Sequence, residues 1–271
     1  GRLGRVVMAL VDPFPQVAGQ GAARLRAAGI AVDEGLLAHE ARELNIGFFS
    51  RIVRGRPWVR LKVAVSLDGR TALNNGVSQW ITGPAARRDG HRWRARACAI
   101  LTGIGTVRED DPQLGVRDVP CERQPLRILV DARLEVSPQA RILQGEPILI
   151  ATGSTDQARI DMLRAAGHEI VFVPNAAGKV DLGALLRLLG ERGINELHVE
   201  AGFKLNGSLL REGCVDELLI YLAPMLVGDA AQGLFNLPAL TRLEGATRLD
   251  IRDLRRIGPD LRLIARPLAQ G

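Results

Sequence analysis

From residue 59 onward the chain repeats one unit: a short apolar run, a break marked by glycine or proline, and a stretch with helical periodicity. The apolar runs predict strands at 59–65, 98–102, 126–131, 147–151, 169–173, 196–200 and 215–222, with two late strands near 246–256 and 260–266. Helices are predicted between them at 84–96, 155–166, 181–192 and 203–212. Parallel neighbours need a crossover long enough to hold a helix, so this alternation predicts an α/β fold with a mainly parallel sheet and helices on both faces. The last three strands have no helices between them and predict an antiparallel C-terminal part.

Ahead of this repeat, RVVMALV (5–11) predicts another strand. A turn at Asp12, Pro13 and Pro15 follows, then a helix over 22–28 closed by Gly29, a strand at 30–33 and a helix from 36 to about 53. Residues 54–57 are basic and punctuated by glycine and proline, which marks a boundary. We expect an N-terminal α/β fragment over 1–55, the end of a unit whose beginning is missing, and a main domain over 57–271.

The stretch Leu61–Asp111 is the densest in chemistry. The apolar run LKVAV ends abruptly in Ser66, Asp68, Gly69 and Arg70, so a strand delivers polar groups to the sheet edge where open α/β folds place ligands. Gly103, Gly105 and Thr106 follow the run CAILT, a Gly-x-Gly turn whose backbone N–H groups can approach phosphate oxygens. A second such element is HVEAGFKLNGSLL, where Gly202 leads into a helix. Backbone donors of 202–208 could surround a pyrophosphate, with Asn206 and Ser208 adding side-chain donors. Arg87, His91 and Arg94 share one face of the helix that Thr82 and Pro84 open, and Arg94 and Arg117 are candidates to fork a phosphate. Lys62 lies inside an apolar run and Glu200 ends another; each must be paired or shifted in pKa, as functional groups often are.

Composition narrows the partners. With 46% hydrophobic residues a buried core is assured, and no apolar run nears the roughly 18 residues of a membrane span. The first 20 residues lack a secretory pattern, so a cytoplasmic protein is expected. Cys98, Cys121 and Cys214 are too scattered for a disulfide framework or a metal motif, and His39, His91, His168 and His198 have no ligand spacing. No metal is expected. The net charge is +6, but the arginines are evenly spread and aromatics are only 4%, which argues against nucleic acid. A small anionic ligand such as a phosphate ester or NADP accounts for the same excess.

Taken in order, LKVAVSLDGRTA, SQWIT, ILTGIGTVREDDP, the DAR after LRILV and VEAGFKLNGSLL resemble the reductase domain of the bifunctional riboflavin-biosynthesis deaminase/reductases, the RibD family, over residues 57–266. Residues 1–55, notably VDPFPQVAGQG, LRAAGI and ARELNIGFF, resemble the tail of that family's cytidine-deaminase-like domain, departing from it at Phe14 and Gln20. The deaminase zinc signature is a His-x-Glu motif with a Pro-Cys…Cys motif; neither is read in this sequence, so neither catalytic zinc nor deamination is expected.

The resemblance implies a dihydrofolate-reductase-like main domain, NADPH as hydride donor, and reduction of 5-amino-6-(5-phosphoribosylamino)uracil at C1′ to the ribityl product. Carried over by position, it implies that Ala64, Trp80, Thr106, Asp110, Gly202, Phe203, Lys204, Leu205, Asn206, Gly207 and Ser208 line the dinucleotide. Ser78, Arg94, Leu114, Arg117 and Glu200 would line the substrate. Lys62, Asp110 and Glu200 are the candidate proton carriers, unranked by sequence, and Arg133 can reach the adenosine 2′-phosphate. A homodimer is expected. Two other readings stay open: a related NADPH reductase of another pteridine or pyrimidine, and a non-catalytic NADP-binding module.

Overall fold

The computed structural model describes residues 3–268. The N-terminal segment supplies β1 (Arg5–Met8), α1 (Gln20–Ala27), β2 (Ala31–Glu34), α2 (Ala38–Leu44) and α3 (Ile46–Arg54). The main body begins with β3 (Trp58–Ser66), β4 (Arg70–Ala72), α4 (Pro84–Arg96), β5 (Ala99–Gly103), α5 (Ile104–Asp110) and β6 (Leu126–Val130). It continues with β7 (Leu149–Thr152), α6 (Gln157–Ala165), β8 (Glu169–Phe172), α7 (Leu182–Glu191), β9 (Glu196–Val199) and α8 (Phe203–Arg211). β10 (Glu217–Ala223), β11 (Gln232–Gly233), β12 (Leu249–Ile257) and β13 (Asp260–Pro267) complete it. Among the described residues no helix is long and apolar enough to cross a membrane.

Nine strands share one sheet in the order β12-β13-β10-β3-β9-β5-β6-β7-β8. From β3 the chain crosses by α4 to β5 and walks outward through β6, β7 and β8. It then returns to set β9 between β3 and β5, and places β10 on the far side of β3. The direction of travel reverses at β9, which makes the carboxyl ends of β3, β9 and β5 the topological switch point. The antiparallel part involves two strands rather than the three expected. β10 runs parallel to β3 because α8 gives it a crossover, whereas β12 and β13 are joined by the two-residue turn Gly258–Pro259 and pair antiparallel.

Alternation along β3 sorts its side chains. Val59, Leu61, Val63 and Val65 join Leu185, Leu189 and Leu209 of α7 and α8 in the larger core on one face. The opposite face is apolar toward β8, with Ile100, Leu129, Ile150 and Leu163. Beneath α4 it turns polar: Arg60, Asp89, His91 and His198 are all buried there. A polar layer inside a close-packed fold has to satisfy its own charges, and this one runs to the switch point.

Two other expectations shift. The single helix expected over 36–53 breaks at Asn45, whose φ of −111° ends α2 and whose side chain caps Ala41 O at 3.0 Å. The boundary at 54–57 also divides the sequence more sharply than the structure. A β-carbon on Gly47 would stand 2.7 Å from Asn195 O, Arg51 Nε donates to Asn195 Oδ1 at 2.6 Å, and Glu43 pairs with Arg266 at 2.6 Å, so α2 and α3 are docked on the main body.

Candidate active site

Glu200 follows β9 at the switch point and collects the cations around it. Arg94 of α4 donates through Nε to Oε1 at 2.5 Å and through Nη2 to Oε2 at 3.0 Å, while Lys62 Nζ of β3 stands 3.5 Å from Oε2. Register explains the meeting: Leu61 pairs with Val199, so the next residue on each strand, Lys62 and Glu200, lie together on the α4 face. Thr102 of β5 fixes the backbone by donating to Glu200 O at 2.7 Å. Burial pushes the Glu200 carboxyl up, but Arg94 and Lys62 outweigh it and hold the group well below the ordinary 4.5. Glu200 is therefore a carboxylate at neutral pH, flanked by two cationic side chains.

A cleft of about 430 Å³ opens beside loop 75–79, lined by Asn75, Val77, Ser78, Gln79, Glu109 and Asp110. Ser78 Oγ donates to Asp110 Oδ1 at 3.1 Å across it. Asp110 is exposed at the end of α5, an element that sequence reading recognised only as a turn. Trp80 is 62% exposed, lines an adjoining hollow of about 140 Å³, and carries Arg87 stacked 4.4 Å above its ring.

The two glycine turns come together. Gly103 lies so close to α8 that a β-carbon there would sit 2.9 Å from Leu205, and Thr106 Oγ1 is 3.5 Å from where one on Gly202 would be. No side chain caps the start of α8 at Gly202, so the N–H groups of Phe203, Lys204 and Leu205 are left for an anion. These residues fit a dinucleotide pyrophosphate. The rest of the 202–208 window does not face the same way. Asn206 is buried with Nδ2 directed at Leu234 O, Gly207 abuts the backbone of Asn236, and Ser208 accepts from Arg211 at 3.0 Å. A helix turns about 100° per residue, so one turn cannot aim every side chain at one ligand.

Loop 111–118 carries the remaining candidates. Asp111, Leu114 and Asp118 all have positive φ, an arrangement that surrounding contacts must offset. Asp111 Oδ1 accepts from Arg141 N at 2.8 Å, and the Leu114 side chain is buried in the core, so only its backbone can meet a ligand. Arg94 is not the free fork expected of it: two donors hold Glu200 and Nη1 holds Gly115 O at 2.9 Å, leaving two of its five N–H bonds. Arg117 is 55% exposed with Asp118 3.9 Å away, and remains the more available cation.

Two histidines without metal-ligand spacing lie beside this cluster. His91 is buried and neutral, its pKa pushed down to about 4 by burial and by Arg94 and Arg117, and its Nδ1 accepts the Arg117 backbone N–H at 3.3 Å. His198 lies two residues before Glu200 on β9, hence on the same face; that period-two spacing was the available signal. The triplet His198-Val199-Glu200 does spell His-x-Glu, but its carboxylate is committed to Arg94 and Lys62. Among the described residues no three His, Cys, Asp or Glu side chains gather as a metal site.

A mainly parallel sheet covered by helices, with a charged trio at its switch point and an uncapped helix start beside it, defines an α/β domain built to receive an anionic ligand. Residues 57–263 match the RibD C-terminal domain family. A riboflavin biosynthesis protein RibD of Escherichia coli K12 is 43% identical over 95% of this chain and 72% of its own length. The Acinetobacter baumannii RibD structure superposes with a TM-score of 0.87 at 37% identity, covering 98% of this chain and 73% of that one. A Thermotoga maritima diaminohydroxyphosphoribosylaminopyrimidine deaminase/5-amino-6-(5-phosphoribosylamino)uracil reductase gives 0.83 at 27% identity, over 97% and 71%. The chain belongs to the RibD C-terminal domain family.

Proposed function

We propose that this chain reduces 5-amino-6-(5-phosphoribosylamino)uracil to 5-amino-6-(5-phosphoribitylamino)uracil with NADPH, and that residues 57–271 form the reductase domain. The observation that carries the reading is the Lys62–Glu200–Arg94 cluster at the switch point, beside the uncapped start of α8. A bound reduced nicotinamide supplies the hydride, which the substrate accepts at C1′.

The protein's share is alignment and one proton. Ring opening places a proton on the ribose ring oxygen, and Lys62 is the group poised to give it, with the Glu200 carboxylate steering its ammonium. Glu200 therefore acts as a carboxylate rather than as the acid. Asp110, held by Ser78, lines the cleft where it can orient a sugar hydroxyl. Backbone N–H groups of Phe203, Lys204 and Leu205 receive the pyrophosphate, Ala64, Trp80 and Thr106 flank the dinucleotide, and exposed Arg133 after β6 is offered to the 2′-phosphate. Arg117 and the spare N–H bonds of Arg94 take the substrate phosphate, with the Leu114 backbone alongside.

The free edge of β12, with Ile251 61% exposed, supports a homodimer. All three cysteines are free, as a reducing compartment leaves them, and we place the protein in the cytoplasm. The test is to follow reduced-nicotinamide absorbance with the phosphoribosylaminouracil as substrate. Consumption that requires the substrate and prefers NADPH over NADH is expected. Turnover of a pterin in its place, or equal use of both cofactors, overturns the reading.

A further inference from the structure

His198 is fully buried, and neither ring nitrogen has a hydrogen-bond partner among the described residues. A polar ring enclosed without partners costs stability, which makes its surroundings informative. Its Nε2 stands 3.2 Å from Glu200 Oε1, the oxygen that Arg94 Nε also approaches, although the ring is turned away from hydrogen-bond alignment. On β9's flanks it pairs in register with Arg60 of β3 and Ile100 of β5. Lys62 and Thr102 reach Glu200 from those same strands, and Arg94 and His91 belong to the helix above.

We propose that His198 is a positioning residue for the reduction: as the neutral Nε2–H tautomer it backs Glu200 Oε1, so that the carboxylate stays turned toward Lys62. The inference rests on the function proposed above. Geometry selects the role. Oε2 faces Lys62, and Oε1 faces Arg94 and His198, so a ring donor at Oε1 resists rotation of the carboxylate away from Lys62. The 3.2 Å separation is already a hydrogen-bond distance, so only the ring's orientation has to change. Charge agrees with this: burial pushes the imidazole pKa down, Glu200 partly opposes it, and Arg60 and Arg94 reinforce it, so the ring stays neutral beside a carboxylate that already holds two cations. A neutral donor satisfies the carboxylate without adding a third cation.

Three measurements test it on the whole chain. In His198→Leu, kcat should fall about tenfold and its pH profile shift, with the Kd for NADPH held within about twofold, since one hydrogen bond to a charged group is at stake. His198→Gln places an amide N–H near the Nε2 position and should recover most of kcat. Nitrogen-15 NMR of the wild-type ring should show the Nε2–H tautomer, with a signal that moves in Glu200→Gln; this needs neither turnover nor a folded His198 variant.

A protonated ring, the Nδ1–H tautomer, or a signal indifferent to Glu200→Gln overturns the proposal. So does an unchanged kcat and pH profile in His198→Leu. Losses in both variants that merely follow their melting temperatures would show a structural role and overturn it too. A wild type inert toward the pyrimidine substrate, with the expected NMR signature intact, would fault the proposed reaction instead.

Discussion

Arg94 and Glu200 meet as a two-pronged pair, Nε to Oε1 at 2.5 Å and Nη2 to Oε2 at 3.0 Å, with side chains only 15% and 16% exposed. One arginine thus joins α4 to the end of β9 and fixes the carboxylate that Lys62 approaches. Because the third donor holds Gly115 O, the same side chain also anchors the strained loop that carries Arg117.

Arg94→Ala should therefore do more than weaken substrate binding. It leaves a largely buried carboxylate short of its main partner, and we expect a loss of roughly 2–4 kcal/mol in chemical denaturation at neutral pH. Glu200 titrates below its ordinary 4.5 in the fold, so its contribution is present above that value and lost as pH falls through the depressed folded pKa. The gap between wild type and variant should narrow on acidification below about pH 4.5. A gap independent of pH would show that Arg94 stabilises by packing alone.

Lys62→Met keeps the length of the side chain and removes the proton. If Lys62 serves the ring oxygen, kcat should fall about 10²- to 10⁴-fold, while NADPH binding by fluorescence titration changes little. Glu200→Gln should lose less, because it disturbs the steering of the ammonium rather than the proton itself. Equal, small losses in both would remove Lys62 from the chemistry.

Much of this was readable in the sequence, for definite reasons. Lys62 and Glu200 stand out because a charge inside an apolar run has to be explained, and the strands and helices of the main body stand out because buried parallel strands are nearly continuous apolar runs. The Ser78–Asp110 contact did not, since it joins a loop to a helix end 32 residues away and no periodicity encodes such a meeting. Asn206 and Ser208 were grouped with Gly202 by nearness in sequence, which helical rotation undoes. The basic face of α4 pointed to a phosphate, yet His91 is buried and Arg94 nearly so, because the sheet beneath offers Glu200 as a partner.

Buried histidines should make stability fall in mild acid. His91 titrates near 4 in the fold against 6.5 unfolded, so the unfolded chain takes up a proton first as pH drops from 6.5, and stability declines down to about pH 4. His168 and His198 are depressed by burial and act in the same direction. Thermal melting between pH 7.5 and 4.5 should show this decline, and His91→Gln should flatten it by roughly 1–3 kcal/mol. A variant with the wild-type slope would mean that His91 is already charged in the fold.

The N-terminal segment should divide within itself. β1 and β2 form a two-stranded parallel sheet of their own, a size that is marginal in water, and Ala22 is the one residue of α1 that is buried. By contrast α3 is held by Arg51 to Asn195, by Arg54 to Asp216 at 2.7 Å, and by the close approach of Gly47 to the chain entering β9. Amide exchange should accordingly be fast over residues 5–34 and slow over 46–54, approaching the protection of β3 and β9. Gly47→Ala tests the cause, because its β-carbon would sit 2.7 Å from Asn195 O and force α3 off the sheet, at a cost of about 1–3 kcal/mol. In that variant the exchange of 46–54 should rise toward that of 5–34 while β10 and α7 stay protected. Uniformly slow exchange from residue 5 to 54 in the wild type would show that the segment folds as one unit, and the division drawn here at α2 would fall.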